Sequence, residues 1–174
     1  EAAEILPDLE YVGFPSIESI EKELLQDEVA RFLEGDFKKI LVTHGTSKPF
    51  NENYFRLIIE ACKGLNCKLV VGTEFRSSLP ELLPSNVIWV KYCPFHELLP
   101  KIDLIIHHGG IGTTREAIAN EVPQLIVGQG FDRQHNGRII RKLSVGDWIS
   151  PKALNKKEIL EKIEKLFSDC EKIK

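Results

Sequence analysis

The residues best suited to chemistry lie in one glycine-rich stretch, His107-His108-Gly109-Gly110-Ile111-Gly112-Thr113-Thr114. Glycines allow the main chain to approach a ligand closely, and the N-terminus of a following helix favours an anion. His108 could add a donor or a positive charge, and the hydroxyls of Thr113 and Thr114 could add hydrogen bonds. The stretch therefore suits a diphosphate. A tight strand-to-helix connection with a structural histidine pair is the alternative.

Glu116 offers a carboxylate three residues after Thr113. The Thr-x-x-Glu spacing is that of a capping box, in which two side chains satisfy N–H groups at the start of a helix. A carboxylate can also accept hydrogen bonds from the paired hydroxyls of a ribose. Both interpretations of Glu116 stay open on the residues alone.

A second polar cluster, Asp132, Arg133, Gln134 and Asn136, lies at the start of another helical pattern. Asp132 suits an N-cap position, because its carboxylate can accept from the first N–H groups of a helix. A carboxylate followed by an amide also supplies the acceptors and donors that a hexose requires. The cluster therefore indicates either a helix cap or a sugar site.

Apolar runs alternate with helical patterns along the chain. The runs are nearly continuous, which is typical of strands buried on both faces, so we predict a Rossmann-like α/β domain with an open parallel sheet and helices on both faces. In such sheets ligands bind at the carboxyl ends of the strands, where the turns beginning at His44, His107 and Gly128 should lie. The runs are KKILVTHG, CKLVVG, NVIWVKY, DLIIHH and PQLIVGQG, with helical patterns near residues 52–65, 95–100, 113–120 and 132–143.

The two ends of the chain predict a linker and two flanking helices. Residues 1–16 hold prolines and a glycine among scattered apolar residues and predict an interdomain linker, so the domain itself spans 17–174. Apolar residues at helical spacing predict a helix from residue 17, with Ser16 as its N-cap and Gly35 as its stop. The last helix should begin after Asn155, which has Glu158 at capping-box spacing.

The composition excludes several classes of function. The chain has 174 residues, of which 43% are hydrophobic, and its formal net charge of -3 gives no attraction for nucleic acid. No apolar run approaches the roughly 20 residues that cross a bilayer, and the acidic N-terminus is unlike a signal peptide, so we expect a cytoplasmic protein without a transmembrane segment. The cysteines form no CxxC pair, which predicts reduced structural thiols rather than a metal site: Cys62, Cys67, Cys93 and Cys170.

The segment from His107 to Arg138, HHGGIGTTREAIANEVPQLIVGQGFDRQHNGR, resembles the donor-binding signature of the UDP-glycosyltransferases of GT-B fold. That signature runs His-x-Gly-x-x-Ser/Thr-Thr-x-Glu, then Pro, then Asp-Gln-x-x-Asn. The flanks are similar too: KKILVTHGTS to the family's first strand and Gly-Ser turn, VKYCPFHELLPKIDLIIHHGG to its uracil segment, and YVGFPS to its interdomain linker. The resemblance implies the C-terminal, UDP-sugar-binding domain of a GT-B enzyme.

By that resemblance, three sets of residues hold the nucleotide part of the donor. Glu116 would bind the ribose hydroxyls. Tyr92 and Phe95 would contact uracil, at positions where family members carry a stacking Trp and a Gln or His, so main-chain bonding is expected at residue 95. The diphosphate would contact Thr46, His108, Gly110, Gly112, Thr113 and Thr114.

Asp132 and Gln134 would face the sugar of the donor. Arg133 is taken here as an insertion between the Asp and the Gln of the signature, a form similar to the bacterial N-acetylglucosaminyltransferase of peptidoglycan synthesis. The resemblance therefore implies UDP-glucose or UDP-GlcNAc as the donor for hexosyl transfer.

Family members invert the anomeric carbon with a base, usually a histidine, in an N-terminal acceptor-binding domain. That domain is not in this sequence, so no catalytic residue is predicted, and the expected partner is such a domain or a separate subunit. The isolated chain should bind UDP and stabilise the leaving diphosphate without transferring sugar. No metal or cofactor is expected, because helix dipole, histidine and threonine donors can compensate the charge and no Asp-x-Asp motif is present. Two alternatives stay open: a non-catalytic nucleotide-sugar-binding subunit, and half of a UDP-sugar epimerase.

Overall fold

The computed structural model describes residues 25–46, 49, 51–128 and 130–171. Within them one sheet of six strands runs in the order β3-β2-β1-β4-β5-β6, and every pairing is parallel. The predicted open parallel sheet is confirmed. The strands are β1 Lys38–Thr43, β2 Cys67–Gly72, β3 Val87–Val90, β4 Leu104–His107, β5 Gln124–Val127 and β6 Gly146–Ile149.

Helices connect the strands as the sequence pattern predicted. In the described part of the chain, three short 3-10 segments, Arg76–Ser78, Leu99–Lys101 and Pro151–Ala153, complete the connections. The helices are α1 Asp27–Phe32, α2 Tyr54–Cys62, α3 Phe95–Leu98, α4 Ile111–Ala119, α5 Phe131–Lys142 and α6 Lys156–Glu171.

Two separate hydrophobic cores cover the two faces of the sheet. Successive residues of a strand point to opposite faces, so Ile40 and Val42 of β1 join one core while Leu41 joins the other. The first core contains apolar residues of α2 and α6, and the second contains residues of α1, α3 and α4. Helices therefore lie on both faces, which explains why the strand sequences are continuously apolar.

The predictions for the two ends have different outcomes. The linker 1–16, the N-cap Ser16 and the first part of the predicted helix lie outside the described residues. The described part of that helix is α1, and Gly35 follows it with a φ of 111°, in the region that favours glycine. At the other end, the Glu158 N–H donates to Oδ1 of Asn155 over 3.0 Å, which confirms Asn155 as the N-cap of α6.

The sixth strand was not predicted. It is an edge strand that pairs with β5 alone, and its two buried residues are Asp147 and Ile149. The Asp147 carboxylate accepts from the Trp148 N–H at 2.8 Å, from Nε of Arg141 at 2.6 Å and from Nζ of Lys162 at 2.7 Å. Arg141 is on α5 and Lys162 is on α6, so these bonds fasten the edge strand to two helices.

Three of the cysteines have the expected reduced state. Cys62 and Cys67 are buried free thiols, and Cys93 is a half-buried free thiol. The side chain of Cys170 is outside the description. Among the described residues, every helix is too short or too polar to span a lipid bilayer.

Candidate functional site

The predicted convergence of turns at the carboxyl edge of the sheet is present. β4 lies between β1 and β5, so the turns that follow these three strands are neighbours. The imidazole of His108 lies close to the turn after β1 and to its own turn, since a Cβ added at Gly45 would be 2.6 Å from its Cε1 and one added at Gly110 would be 2.4 Å from its Nε2. Nδ2 of Asn136 donates to the Gly109 carbonyl at 2.8 Å and joins α5 to the same turn. We call this group of turns the carboxyl-edge site.

His107 has a structural role in the carboxyl-edge site. Its ring is fully buried, Nδ1 accepts from the Gly109 N–H at 3.2 Å, and Nε2 lies 3.0 Å from Oε1 of Gln124. Nε2 is therefore the protonated nitrogen and donates to Gln124. Nε2 of Gln124 in turn donates to the Thr114 carbonyl at 3.3 Å, so the network fixes the turn to α4. The structural alternative for the histidine pair holds for His107.

His108 has a different environment. It is half-buried, and its Nδ1 is buried without a hydrogen bond to any described residue. Burial, together with the charge of Arg133 and the neighbouring His44, lowers the pKa of His108 to about 4, although Asp132 acts in the opposite direction. The ring is consequently neutral at pH 7 in the free protein and offers a hydrogen bond rather than a positive charge.

The helix α4 begins earlier than the sequence indicated. Gly110 occupies the N-cap and Ile111 is the first helical residue, whereas we expected Thr113 to begin the helix. The first bond of the helix runs from the Thr114 N–H to the Gly110 carbonyl at 3.0 Å, so the N–H groups of Ile111, Gly112 and Thr113 have no partner within the helix. A Cβ added at Gly112 would meet nothing within 4 Å.

This start excludes the capping-box interpretation of Glu116. A capping box needs Thr113 at the N-cap and Glu116 in the first turn, and here both are inside the helix. Glu116 is half-buried and forms an ion pair with Arg115. The ribose role stays a prediction, with the ion pair as the structural role now competing with it.

The two threonines of α4 differ in availability. The Thr114 side chain is buried, and its hydroxyl donates to the Gly110 carbonyl at 3.0 Å. Thr113 is half-buried and has no such bond among the described residues, and Thr46 is exposed in the turn after β1. Thr113 and Thr46 are therefore better placed than Thr114 to donate to a ligand.

The N-cap interpretation of Asp132 is also wrong. Gly130, with a φ of 113°, occupies the N-cap of α5, and Asp132 is an exposed residue of the first turn that makes no capping bond. Asp132 and Asn136 have the same spacing as the Asp and Asn of the signature Asp-Gln-x-x-Asn, and the helix is continuous between them. Arg133 therefore stands in place of the signature Gln rather than being an insertion, and Gln134 lies one residue beyond it.

The predicted uracil residues lie farther along the edge of the sheet. Tyr92 follows β3 and is 61% exposed, while Phe95 begins α3 and packs partly against the second core. β2 and β1 separate β3 from β4, so no described contact joins these aromatic residues to His108. Their role in binding a base stays a prediction.

Gln124 was not among the candidate residues, and Arg133 was named only as a member of the polar cluster, without a role of its own. Gln124 had a visible signal, since it is a polar residue inside an apolar run, and Arg133 had one as a departure from the signature. Neither signal identified a neighbour. The contacts of Gln124 with His107, and of Arg133 with the glycine turns, arise only from the order of the strands.

Comparison with known proteins identifies the family. Residues 56–172 match the family model described as Erythromycin biosynthesis protein CIII-like, C-terminal domain. A Bacillus subtilis relative, the uncharacterized UDP-glucosyltransferase YdhE, is 31% identical over 155 residues, which are 78% of this chain and 39% of YdhE.

Solved structures show the same fold. The spinosyn forosaminyltransferase SpnP has a TM-score of 0.78 at 22% identity, covering 93% of this chain and 42% of SpnP. The spinosyn rhamnosyltransferase SpnG complexed with thymidine diphosphate has a TM-score of 0.69 at 20% identity, covering 77% of this chain and 38% of SpnG. This chain thus spans less than half the length of these relatives. It belongs to the EryCIII-like C-terminal domain family, within the UDP-glycosyltransferases of GT-B fold.

Proposed function

We propose that the carboxyl-edge site binds the nucleoside diphosphate of a sugar donor, and that the chain is the donor half of an inverting glycosyltransferase. The observation that carries the proposal is the His108 ring, whose buried Nδ1 lacks a partner, next to three N–H groups at the start of α4 that have none within the helix. Each of these groups can donate to an anion, and an anion can approach the main chain at Gly112, where an added Cβ would meet nothing within 4 Å.

The diphosphate would be the leaving group. In an inverting transfer the acceptor oxygen forms a bond to the anomeric carbon while the bond from that carbon to the distal phosphate oxygen breaks, so negative charge develops on the diphosphate. Hydrogen bonds directed at that charge stabilise the transition state more than the ground state. His108, Gly110, Gly112, Thr113 and Thr46 are proposed to supply these bonds, and Thr114 to orient the helix that carries them.

The relatives differ in the nucleobase and in the sugar of the donor. The relative YdhE is named as a UDP-glucosyltransferase, whereas the structure of SpnG contains thymidine diphosphate. The two nucleotides share the diphosphate that the site suits. UDP-glucose or UDP-GlcNAc, contacted by Glu116 at the ribose and by Asp132 and Gln134 at the sugar, stays the prediction for the donor.

The acceptor and its activating base are proposed to lie on a partner domain or subunit. This chain covers 39% of YdhE, which leaves room in such relatives for a second domain of similar size. Independence from metal ions and a cytoplasmic location remain predictions. None of the described contacts favours an epimerase half over this proposal.

Isothermal titration tests the proposal directly. We expect the chain to bind UDP or dTDP, or both, with a diphosphate contribution visible as much weaker binding of uridine and thymidine. Binding of UDP should be unchanged in excess chelator. A radiolabelled transfer assay with UDP-glucose and UDP-GlcNAc should give only background turnover. Absence of nucleoside diphosphate binding would overturn the proposed site. Robust sugar transfer by this chain alone would overturn the proposal that the acceptor and its activating base lie on a partner domain or subunit.

A further inference from the structure

Arg133 is a cation at the carboxyl-edge site without an anionic partner in the described part of the chain. Its side chain is half-buried, and it makes no hydrogen bond or ion pair with any described residue. Its Cβ lies 3.3 Å from the place that a Cβ would take on Gly109 and 3.0 Å from that place on Gly128. The base of this side chain is therefore held between the turns that follow β4 and β5.

The charge of Arg133 acts on His108. It is the second cause, after burial, that lowers the pKa of that histidine, so the guanidinium lies within electrostatic reach of the imidazole. The guanidinium disfavours a positive charge on the imidazole of His108, but an anion placed between the two side chains would be attracted by both. Because His108 is neutral in the free protein, Arg133 supplies a permanent positive charge beside it.

The order of the strands decides which part of a ligand Arg133 faces. β5 lies on the opposite side of β4 from β1, β2 and β3. Arg133 therefore flanks His108 on the side away from Tyr92 and Phe95, the residues predicted to contact the base. A nucleotide laid along this edge would have its phosphate farthest from the nucleoside at Arg133.

We propose that Arg133, which stands in place of the Gln of the family signature, is a cationic ligand for the distal phosphate of the donor, beside His108. The inference rests on the proposed function. A guanidinium in this position can donate two hydrogen bonds to the phosphate oxygens that acquire charge as the sugar leaves. The chain would in this way bind the donor more through its diphosphate, and less through the sugar hydroxyls, than an enzyme with Gln at this position.

The test compares Arg133→Gln, which restores the residue of the signature, with Arg138→Gln. Arg138 is an exposed arginine of the same helix, so its substitution removes the same charge outside the site. Titrations with UDP, UMP, uridine and UDP-glucuronic acid are compared for both variants and for the original chain. We expect Arg133→Gln to weaken UDP binding by about 10- to 100-fold, the loss of a hydrogen bond to a charged group, with UMP and uridine unchanged and Arg138→Gln without effect.

The outcomes separate this inference from the proposed function. If Arg133→Gln binds UDP as tightly as the original chain while His108→Ala binds it more weakly, the role of Arg133 is wrong and the site stands. Equal weakening for UMP and UDP would overturn the assignment to the distal phosphate. If UDP is unaffected and only UDP-glucuronic acid is weakened, the guanidinium contacts the sugar instead. If the original chain binds no nucleoside diphosphate, the proposed function fails and this inference fails with it.

A second measurement checks the position of the guanidinium without any ligand. In a proton NMR titration the pKa of His108 should rise from about 4 in Arg133→Gln and stay there in Arg138→Gln, since Arg133, unlike Arg138, is among the groups that oppose protonation of that ring. The His108 signal is identified by its absence in His108→Ala. An unchanged His108 pKa in Arg133→Gln would contradict the proposed proximity.

Discussion

Two regions of this domain contain buried or half-buried groups that are charged or titratable. The regions differ in whether these groups have partners within the chain. At the edge strand β6, the Asp147 carboxylate has three partners on the chain itself. At the carboxyl-edge site, Nδ1 of His108 and the guanidinium of Arg133 have no acceptor among the described residues. The first arrangement satisfies its own charges, whereas the second has donors in excess of acceptors.

This contrast indicates which polar groups stabilise the fold and which bind a ligand. Buried polar groups that serve the fold are nearly always paired within the protein. A cluster of donors without acceptors, at the edge of a parallel sheet where ligands bind, instead indicates an anionic ligand. Substitutions in the first region should therefore change stability, and substitutions in the second should change affinity.

The largest expected effect is that of Asp147→Ala on stability. Burial alone would raise the pKa of Asp147, but Lys162, the Trp148 N–H and Arg141 outweigh it and hold the pKa below its ordinary value. The substitution removes these bonds and leaves Lys162, which is mostly buried, without its partner. We expect the free energy of unfolding to fall by about 3 kcal/mol, measured by urea denaturation, with UDP affinity unchanged under folding conditions. A loss of affinity in the folded variant would remove the distinction between the two regions.

The pH dependence of stability separates the two histidines from Asp147. Burial lowers the pKa of His107 to about 3, so the unfolded chain binds a proton at this residue near pH 6.5 while the folded chain does not. Stability from this group is therefore complete above pH 6.5 and decreases as the pH falls towards 3, by about 2 kcal/mol between pH 6.5 and 5. The pKa of Asp147 is lowered as well, so its contribution is also lost as the pH falls, but only below the ordinary pKa of a carboxyl group.

Urea denaturation at several pH values between 7.5 and 5 measures this effect. His108 adds to it in the same direction, because its pKa is also lowered, to about 4. The slope of stability against pH should decrease in His107→Gln. An identical slope in that variant would show that His107 does not titrate as its burial requires.

The next effect is that of His108→Ala on affinity. We expect UDP binding to weaken by about 1–3 kcal/mol, the range for losing a hydrogen bond to a charged group, with little change in uridine binding. The ring packs between Gly45 and Gly110 but makes no hydrogen bond among the described residues through Nδ1, so the melting temperature should change less than in Asp147→Ala. Equal weakening for uridine and UDP, or a collapse of the melting temperature, would favour a structural role for His108.

The sequence predicted most of the fold because the sheet core is encoded locally. Continuous apolar runs identify β1 to β5 without any knowledge of their neighbours. The edge strand β6 was missed because one of its two buried residues is Asp147, whose carboxylate is paired with Arg141 and Lys162 on two separate helices. No local pattern contains that information.

The sequence predicted which turns form the candidate site but not the residues at which its two helices begin. Thr113 and Asp132 are residues typical of N-caps, yet Gly110 and Gly130 occupy those positions. A residue with a side chain does not fit at Gly110, because the ring of His108 leaves no room for a Cβ. Helix boundaries here depend on how the turns of different strands pack together, which is not visible in spacing alone.

The smallest expected effect concerns Glu116, the residue whose capping role the structure excludes. Two roles now compete for its carboxylate: the ion pair with Arg115 and the predicted bond to ribose hydroxyls. A partly exposed ion pair contributes at most about 1 kcal/mol to stability and nothing to affinity. A carboxylate that binds ribose contributes to affinity instead, because Gln in place of an ionised acceptor weakens a charge-assisted hydrogen bond, with an expected loss in UDP affinity of about 1 kcal/mol.

Glu116→Gln and Arg115→Gln both break the ion pair, but only the first removes the carboxylate. Titrations should therefore show weaker UDP binding in Glu116→Gln and not in Arg115→Gln, and 2′,3′-dideoxy-UDP should bind Glu116→Gln as well as the original chain. Unchanged UDP affinity in Glu116→Gln would leave this carboxylate with the ion pair alone and would move the boundary of the site towards the start of α4.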